Sequence, residues 1–102
     1  MKRVAIYARG VNKKDNGEEI QNQLKELEVY CEEKGYEVIR SISEYRKGRN
    51  VSMNLLTVLT DYKNVDAIVL RDKSQICGDK AEVQRFELLA NELEIEIECS
   101  EE

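Results

Sequence analysis

Half of the sixteen lysines and arginines fall in three short polar stretches: Arg9, Lys13 and Lys14; Arg46, Lys47 and Arg49; Arg71 and Lys73. Guanidinium and ammonium groups gathered this way neutralise phosphates, and arginine adds a planar fork that takes two oxygens at once. The plainer alternative is that charged loops only keep a protein soluble. Other chemistries have less to draw on. Histidine is absent, which removes the usual general base of a Ser/His/Asp or Cys/His arrangement. Cys31, Cys77 and Cys99 form no CxxC pair, so the sequence indicates neither a disulfide framework nor a metal site. The net charge of −5 opposes non-specific binding of nucleic acid, and the distribution of charge matters more than its sum.

These stretches need elements to hold them in place. Within KRVAIYARGVN, Val4 to Ala8 is an apolar run of strand length cut off by Arg9 and Gly10. It reads as a buried central strand delivering Arg9 to the mouth of a site, with Gly10, Val11, Asn12, Lys13 and Lys14 in the loop beyond. Asp15 and Asn16 suit an N-cap, and Glu18 and Glu19 suit a first turn, so a helix should start near Gly17. Its apolar stripe is Ile20, Leu24, Leu27 and Cys31, and Gly35 ends it. Tyr36 to Ser43 reads as a second strand and Glu44 to Asn50 as a loop around Gly48. Leu55, Val58, Leu59 and Tyr62 form the apolar face of a second helix, and Val65 to Leu70 a third strand. Arg71 to Asp79 is a loop. From about Lys80 a third helix is expected to bury Val83, Phe86, Leu89, Ala90 and Leu93. Glu94 to Cys99 alternates as an edge strand with its glutamates facing water.

The order βαβαβαβ predicts an α/β fold of three layers, αβα, with about four mostly parallel strands in one domain over residues 1–102. The three basic stretches then share the rim at the strand carboxyl ends, where a parallel sheet holds phosphates. No apolar run approaches the ~20 residues of a bilayer span, and no signal peptide is evident, so a cytoplasmic protein with no membrane contact is expected. No GxGxxG or Walker-type loop supports a nucleotide site.

RVAIYAR, the helix segment EEIQNQLKELEVYCEEKGYEVI and DAIVL together resemble the N-terminal catalytic domain of the serine recombinases, the resolvase and invertase family, over nearly the whole chain. The resemblance implies DNA site-specific recombination, in which a serine hydroxyl attacks a backbone phosphate and arginines stabilise the developing charge without metal or cofactor. Carried over residue by residue, Tyr7 and Arg9 match the family's YxRVS strand end, but Val11 stands in the nucleophile's place. The second family signature falls on Ser74, Gln75, Ile76, Cys77 and Gly78, with Gln75 and Gly78 where arginines belong. A third family arginine falls on Ser52 or, with a shifted gap, on Arg49. The family's helix glutamine is Gln23.

The resemblance thus leaves Arg9 as a remnant of the catalytic set, with Lys13, Lys14, Arg46, Lys47, Arg49 and Arg71 as further phosphate- or DNA-facing groups. It implies a catalytically inactive resolvase-like domain acting by binding, with DNA (weakly or indirectly), a second copy or an active serine recombinase as partner. The alternative is a catalytic-domain fragment of a working recombinase. The family's dimerising helix and DNA-binding domain are not expected within these residues.

Overall fold

The computed structural model describes residues 1–10, 17–45, 50–61 and 64–101. In chain order its elements are β1 (Arg3–Gly10), α1 (Glu18–Lys34), β2 (Glu37–Tyr45), α2 (Met53–Asp61), β3 (Ala67–Leu70), a 3-10 turn (Lys73–Gln75), α3 (Lys80–Glu92) and β4 (Glu96–Cys99). All four strands run parallel, in the order β2-β1-β3-β4.

The two central strands are covered on both faces, which demands apolar side chains at successive positions rather than alternate ones. Val4, Ile6, Ala67 and Val69 face α1, where they meet Leu27 and Cys31. Ala5, Tyr7, Ile68 and Leu70 face the other way, into a larger core with Leu55 and Val58 of α2 and Val83, Phe86 and Ala90 of α3. The expected three-layer α/β architecture is the one found.

Several boundaries differ from the sequence reading. β1 continues through Arg9 and Gly10, which pair with Glu44 and Tyr45 of β2, so four residues expected in loops belong to the sheet. Backbone pairing with a central strand holds them there despite their composition. Val4 pairs with Val38 but Ala5 with Arg40, so Ile39 is the extra residue of a bulge and remains 39% exposed. The residue capping α1 is Gly17, in a left-handed conformation, while Asp15 and Asn16 lie outside the described residues. Tyr62 does too.

In α3, Val83, Phe86 and Ala90 lie in one narrow stripe against the sheet. Leu89, expected in the core, falls on its flank and is 37% exposed, and Leu93, also expected there, is the residue capping the helix end and is 45% exposed. Val83, Phe86, Leu89 and Ala90 together span more of the helix circumference than the sheet covers, and Leu93 lies where the helix has already ended. β4 starts only at Glu96, because Glu94 turns the chain with φ 60°. Its glutamates do not all face water: pairing sets Glu98 beside Val69, on the α1 face, where it accepts hydrogen bonds from the Tyr30 and Tyr36 hydroxyls.

Candidate functional site

The chain leaves β1 for β2 on one side and leaves β3 for β4 on the other, so the loops after these two adjacent strands part. Such a switch point opens a crevice at the carboxyl ends. Arg9 sits there, only 7% exposed, and its Nη1 donates to the Ile76 carbonyl at 3.0 Å. One guanidinium therefore ties the end of β1 to the segment following β3.

The backbone at Arg9 is held separately. Pairing between β1 and β3 ends at Tyr7 with Leu70, so Arg9 meets no β3 residue on that side. The buried Gln23 takes that place: its Nε2 donates to the Arg9 carbonyl at 3.0 Å and its Oε1 accepts from the Arg9 amide at 3.3 Å. A side-chain amide here completes the backbone pairing where the strand partner has run out.

Tyr7 is wholly buried, and its hydroxyl donates to Glu44 Oε1 at 2.5 Å. Burial, reinforced by the Glu44 carboxylate, raises the Tyr7 pKa well above the ordinary phenol value, while Arg9 and Ser52 act in the opposite direction. Glu44 Oε2 in turn accepts from Asn54 Nδ2 at 2.9 Å. Ser52 opens α2: its Oγ accepts from the Asn54 amide at 3.1 Å and its carbonyl from the Leu56 amide at 3.1 Å. Tyr7, Glu44, Ser52 and Asn54 thus join β1, β2 and α2 around the inner end of the crevice. Glu44 and Asn54 were missed from sequence, though a tyrosine in an apolar strand signals that some acceptor must meet its hydroxyl.

Gly10 is needed for a steric reason. A Cβ built there would lie 3.0 Å from Tyr45 Cε1 and 3.1 Å from Ile20 Cγ1. Gly10→Ala is expected to push the Tyr45 ring aside and lower unfolding free energy by about 1 kcal/mol, measured as a fall in the urea midpoint. An unchanged midpoint would mean that Tyr45 yields freely.

The second signature forms the opposite wall. Asp72 caps the 3-10 turn by accepting from the Ser74 amide at 2.9 Å, and it also holds the Ser74 hydroxyl. Gln75 turns its side-chain carbonyl inward, where this buried oxygen meets no donor among the described residues. Cys77 is buried, its Sγ 3.5 Å from the Asp79 carbonyl, and Asp79 caps α3 through the Ala81 amide at 2.9 Å. Gly78 is exposed. Arg71 is turned onto Glu101, Nε to Oε1 at 2.8 Å, and that hydrogen bond raises its pKa further. Lys73 pairs with Glu87 at 3.4 Å. Val11, Asn12, Lys13, Lys14, Arg46, Lys47 and Arg49 lie outside the described residues.

Of the sequence candidates, the structure brings Arg9 together with Ile76 and directs Arg71 onto Glu101. Among the described residues, no group of acidic or thiol side chains is placed to hold a metal ion, and no helix is long and apolar enough to cross a membrane. Burial pushes the Cys31 thiol up to about 11, so it is protonated at neutral pH.

This arrangement of strands and crevice has known counterparts. The family model of the resolvase N-terminal domain matches residues 4–102. The chain belongs to that family. Resolvase-type domains of this kind serve DNA recombination, and solved structures agree on the fold. The C-terminal catalytic domain of ISC1926 TnpA, an IS607-like serine recombinase, superposes with a TM-score of 0.81 at 25% identity, over 98% of this chain and 70% of that one. The N-terminal catalytic domain of TP901-1 integrase gives 0.79 at 18% identity, over 94% and 75%. A resolvase family site-specific recombinase from Streptococcus pneumoniae gives 0.82 at 13% identity, over 99% and 73%. No curated protein matches the chain in sequence.

Proposed function

We propose that this resolvase-type domain acts in DNA recombination as a binding or regulatory module and does not itself cleave DNA. The observation that carries the reading is Val11. In the register where Tyr7 and Arg9 fit the family's strand end, the nucleophile's place holds a side chain without a hydroxyl, which cannot attack a phosphate. Losing a nucleophile removes nearly all of a covalent step.

The surrounding charge supports the same reading. Gln75 and Gly78 occupy two arginine places, and neither brings a fixed positive charge to a phosphate. Arg9 remains, with its guanidinium engaged by the Ile76 carbonyl. Lys13, Lys14, Arg46, Lys47 and Arg49 supply a weak, salt-dependent contact with DNA, while Arg71 is held by Glu101. The partner is then a second copy of the chain or an active serine recombinase.

The test uses the chain's own host, where its DNA target is present. A tagged copy recovered under denaturing conditions and digested with nuclease is expected to carry no covalent nucleotide by mass spectrometry. Val11→Ser alone is expected to restore none, because Gln75 and Gly78 still leave the phosphate charge unmatched. A nucleotide linked to any residue of the native chain overturns the proposal.

A further inference from the structure

The segment after β3 that gives its Ile76 carbonyl to Arg9 also walls a separate hollow of about 430 Å³, shared with the first two turns of α3. That volume suits a small organic molecule. Its floor is apolar: Val83 and Cys77 belong to the larger core, are 8% and 3% exposed, and line the hollow from below. An apolar surface left open in this way is one that an apolar ligand can cover.

The rim is cationic. Lys73, on the 3-10 turn, and Lys80, at the start of α3, both line the hollow and both are exposed. Lysine stems extend an apolar wall while their ammonium heads stay at the mouth. Among the described residues, Glu87 is the one acid of the lining, and it meets Lys73 at 3.4 Å, whereas Lys80 makes no ion pair. Two ammonium groups against one carboxylate leave a net positive charge over an apolar floor.

We propose that this hollow binds a small aromatic acid, its ring on Val83 and Cys77 and its anionic group at Lys80 and Lys73. A bare phosphate or a DNA backbone would leave the floor uncovered, and a neutral apolar molecule would leave the ammonium groups unmatched. The larger hollow between α3 and β4 is no rival for an anion, since Glu87, Glu96 and Glu98 line it and, among the described residues, no cation does. The site uses neither Arg9 nor Val11, so it stands whether or not the chain cleaves DNA. Its occupant nevertheless touches the segment that holds Arg9, which gives the crevice a neighbour able to sense a small molecule. An open site of this size binds with a Kd on the order of tens of micromolar.

Two-dimensional NMR of the native chain, titrated with anilinonaphthalene sulfonate, tests this. The Val83 methyl signals and the amides of Ser74, Cys77 and Gly78 should shift together and saturate at one equivalent. Phenylnaphthylamine, which has the same rings and no charge, should bind roughly ten-fold more weakly, and methanesulfonate in hundred-fold excess should not compete. Lys73→Gln and Lys80→Gln combined should weaken the sulfonate by roughly ten-fold and leave phenylnaphthylamine unchanged, with native circular dichroism because both positions are exposed. Shifts centred on the α3 and β4 hollow instead, or no saturation up to millimolar probe, overturn the proposal. So does equal binding of the neutral compound, displacement by methanesulfonate, or a lysine variant that binds the sulfonate as the native chain does.

Discussion

Arg9→Ala is expected to lower the unfolding free energy by about 3 kcal/mol. Two losses add. The Ile76 carbonyl, on a residue with no exposed surface, loses the donor that now meets it at 3.0 Å. The long side chain of a residue that is 7% exposed also vanishes from a packed crevice and leaves a void. Arg9→Lys keeps the charge but not the planar fork, and should recover only part of the loss. The measurement is urea unfolding, with a lower midpoint and an unchanged slope as the expected signature. If the alanine variant unfolds at the native midpoint, the contact with Ile76 carries no stability.

How much of this was legible beforehand differs from element to element. The central strands were readable because covered parallel strands must be apolar on both faces, and Val4 to Ala8 and Val65 to Leu70 satisfy that with almost no polar interruption. α1 was readable from Ile20, Leu27 and Cys31, all of which are buried, and from Gly35, whose φ of 77° ends the helix. Edges were harder. Glu44 and Tyr45 look like loop residues by type, and only their pairing with Arg9 and Gly10 makes them strand. Nothing local to those residues signals a pairing made across the sheet.

The candidate site was legible in part for a similar reason. Fold topology placed the crevice after β1 and β3, and Arg9 is there. Which contacts a side chain makes within it is a long-range matter. Arg71 reads as one more basic group on a phosphate-facing rim, yet it is satisfied by Glu101, brought alongside by β4. Ser52 reads as a substitute for an arginine, yet it opens α2 and is 1% exposed. The apolar positions of α3 show the limit from the opposite side. Periodicity found five positions, but only the packed sheet decides that Phe86 enters the core while Leu89 does not.

Glu98 should make the fold sensitive to pH at both ends of the scale. Its Oε2 accepts from the Tyr30 hydroxyl at 2.6 Å and from the Tyr36 hydroxyl at 3.0 Å, with the Lys2 ammonium 3.4 Å from Oε1. Burial alone would raise its pKa, but the two hydroxyls and Lys2 outweigh burial and hold it below the ordinary value of 4.5. A carboxylate depressed in the folded state contributes stability that is present above its unfolded pKa. That contribution is lost as pH falls below about 4.5. Tyr30 works in the other direction. The hydrogen bond to Glu98, aided by burial, pushes its pKa from 10.0 up to about 12. Its contribution is complete below pH 10 and is lost as pH rises through 12. Glu98→Gln should cost about 1–2 kcal/mol at neutral pH, because an amide oxygen cannot replace two acceptors of a charged group. It should also flatten the stability profile in both windows. Other carboxylates titrate in acid too, so the informative quantity is the difference between native and variant unfolding midpoints, taken pH by pH. If that difference stays constant from acid to alkali, Glu98 is not the group that couples β4 to the end of α1 through its charge.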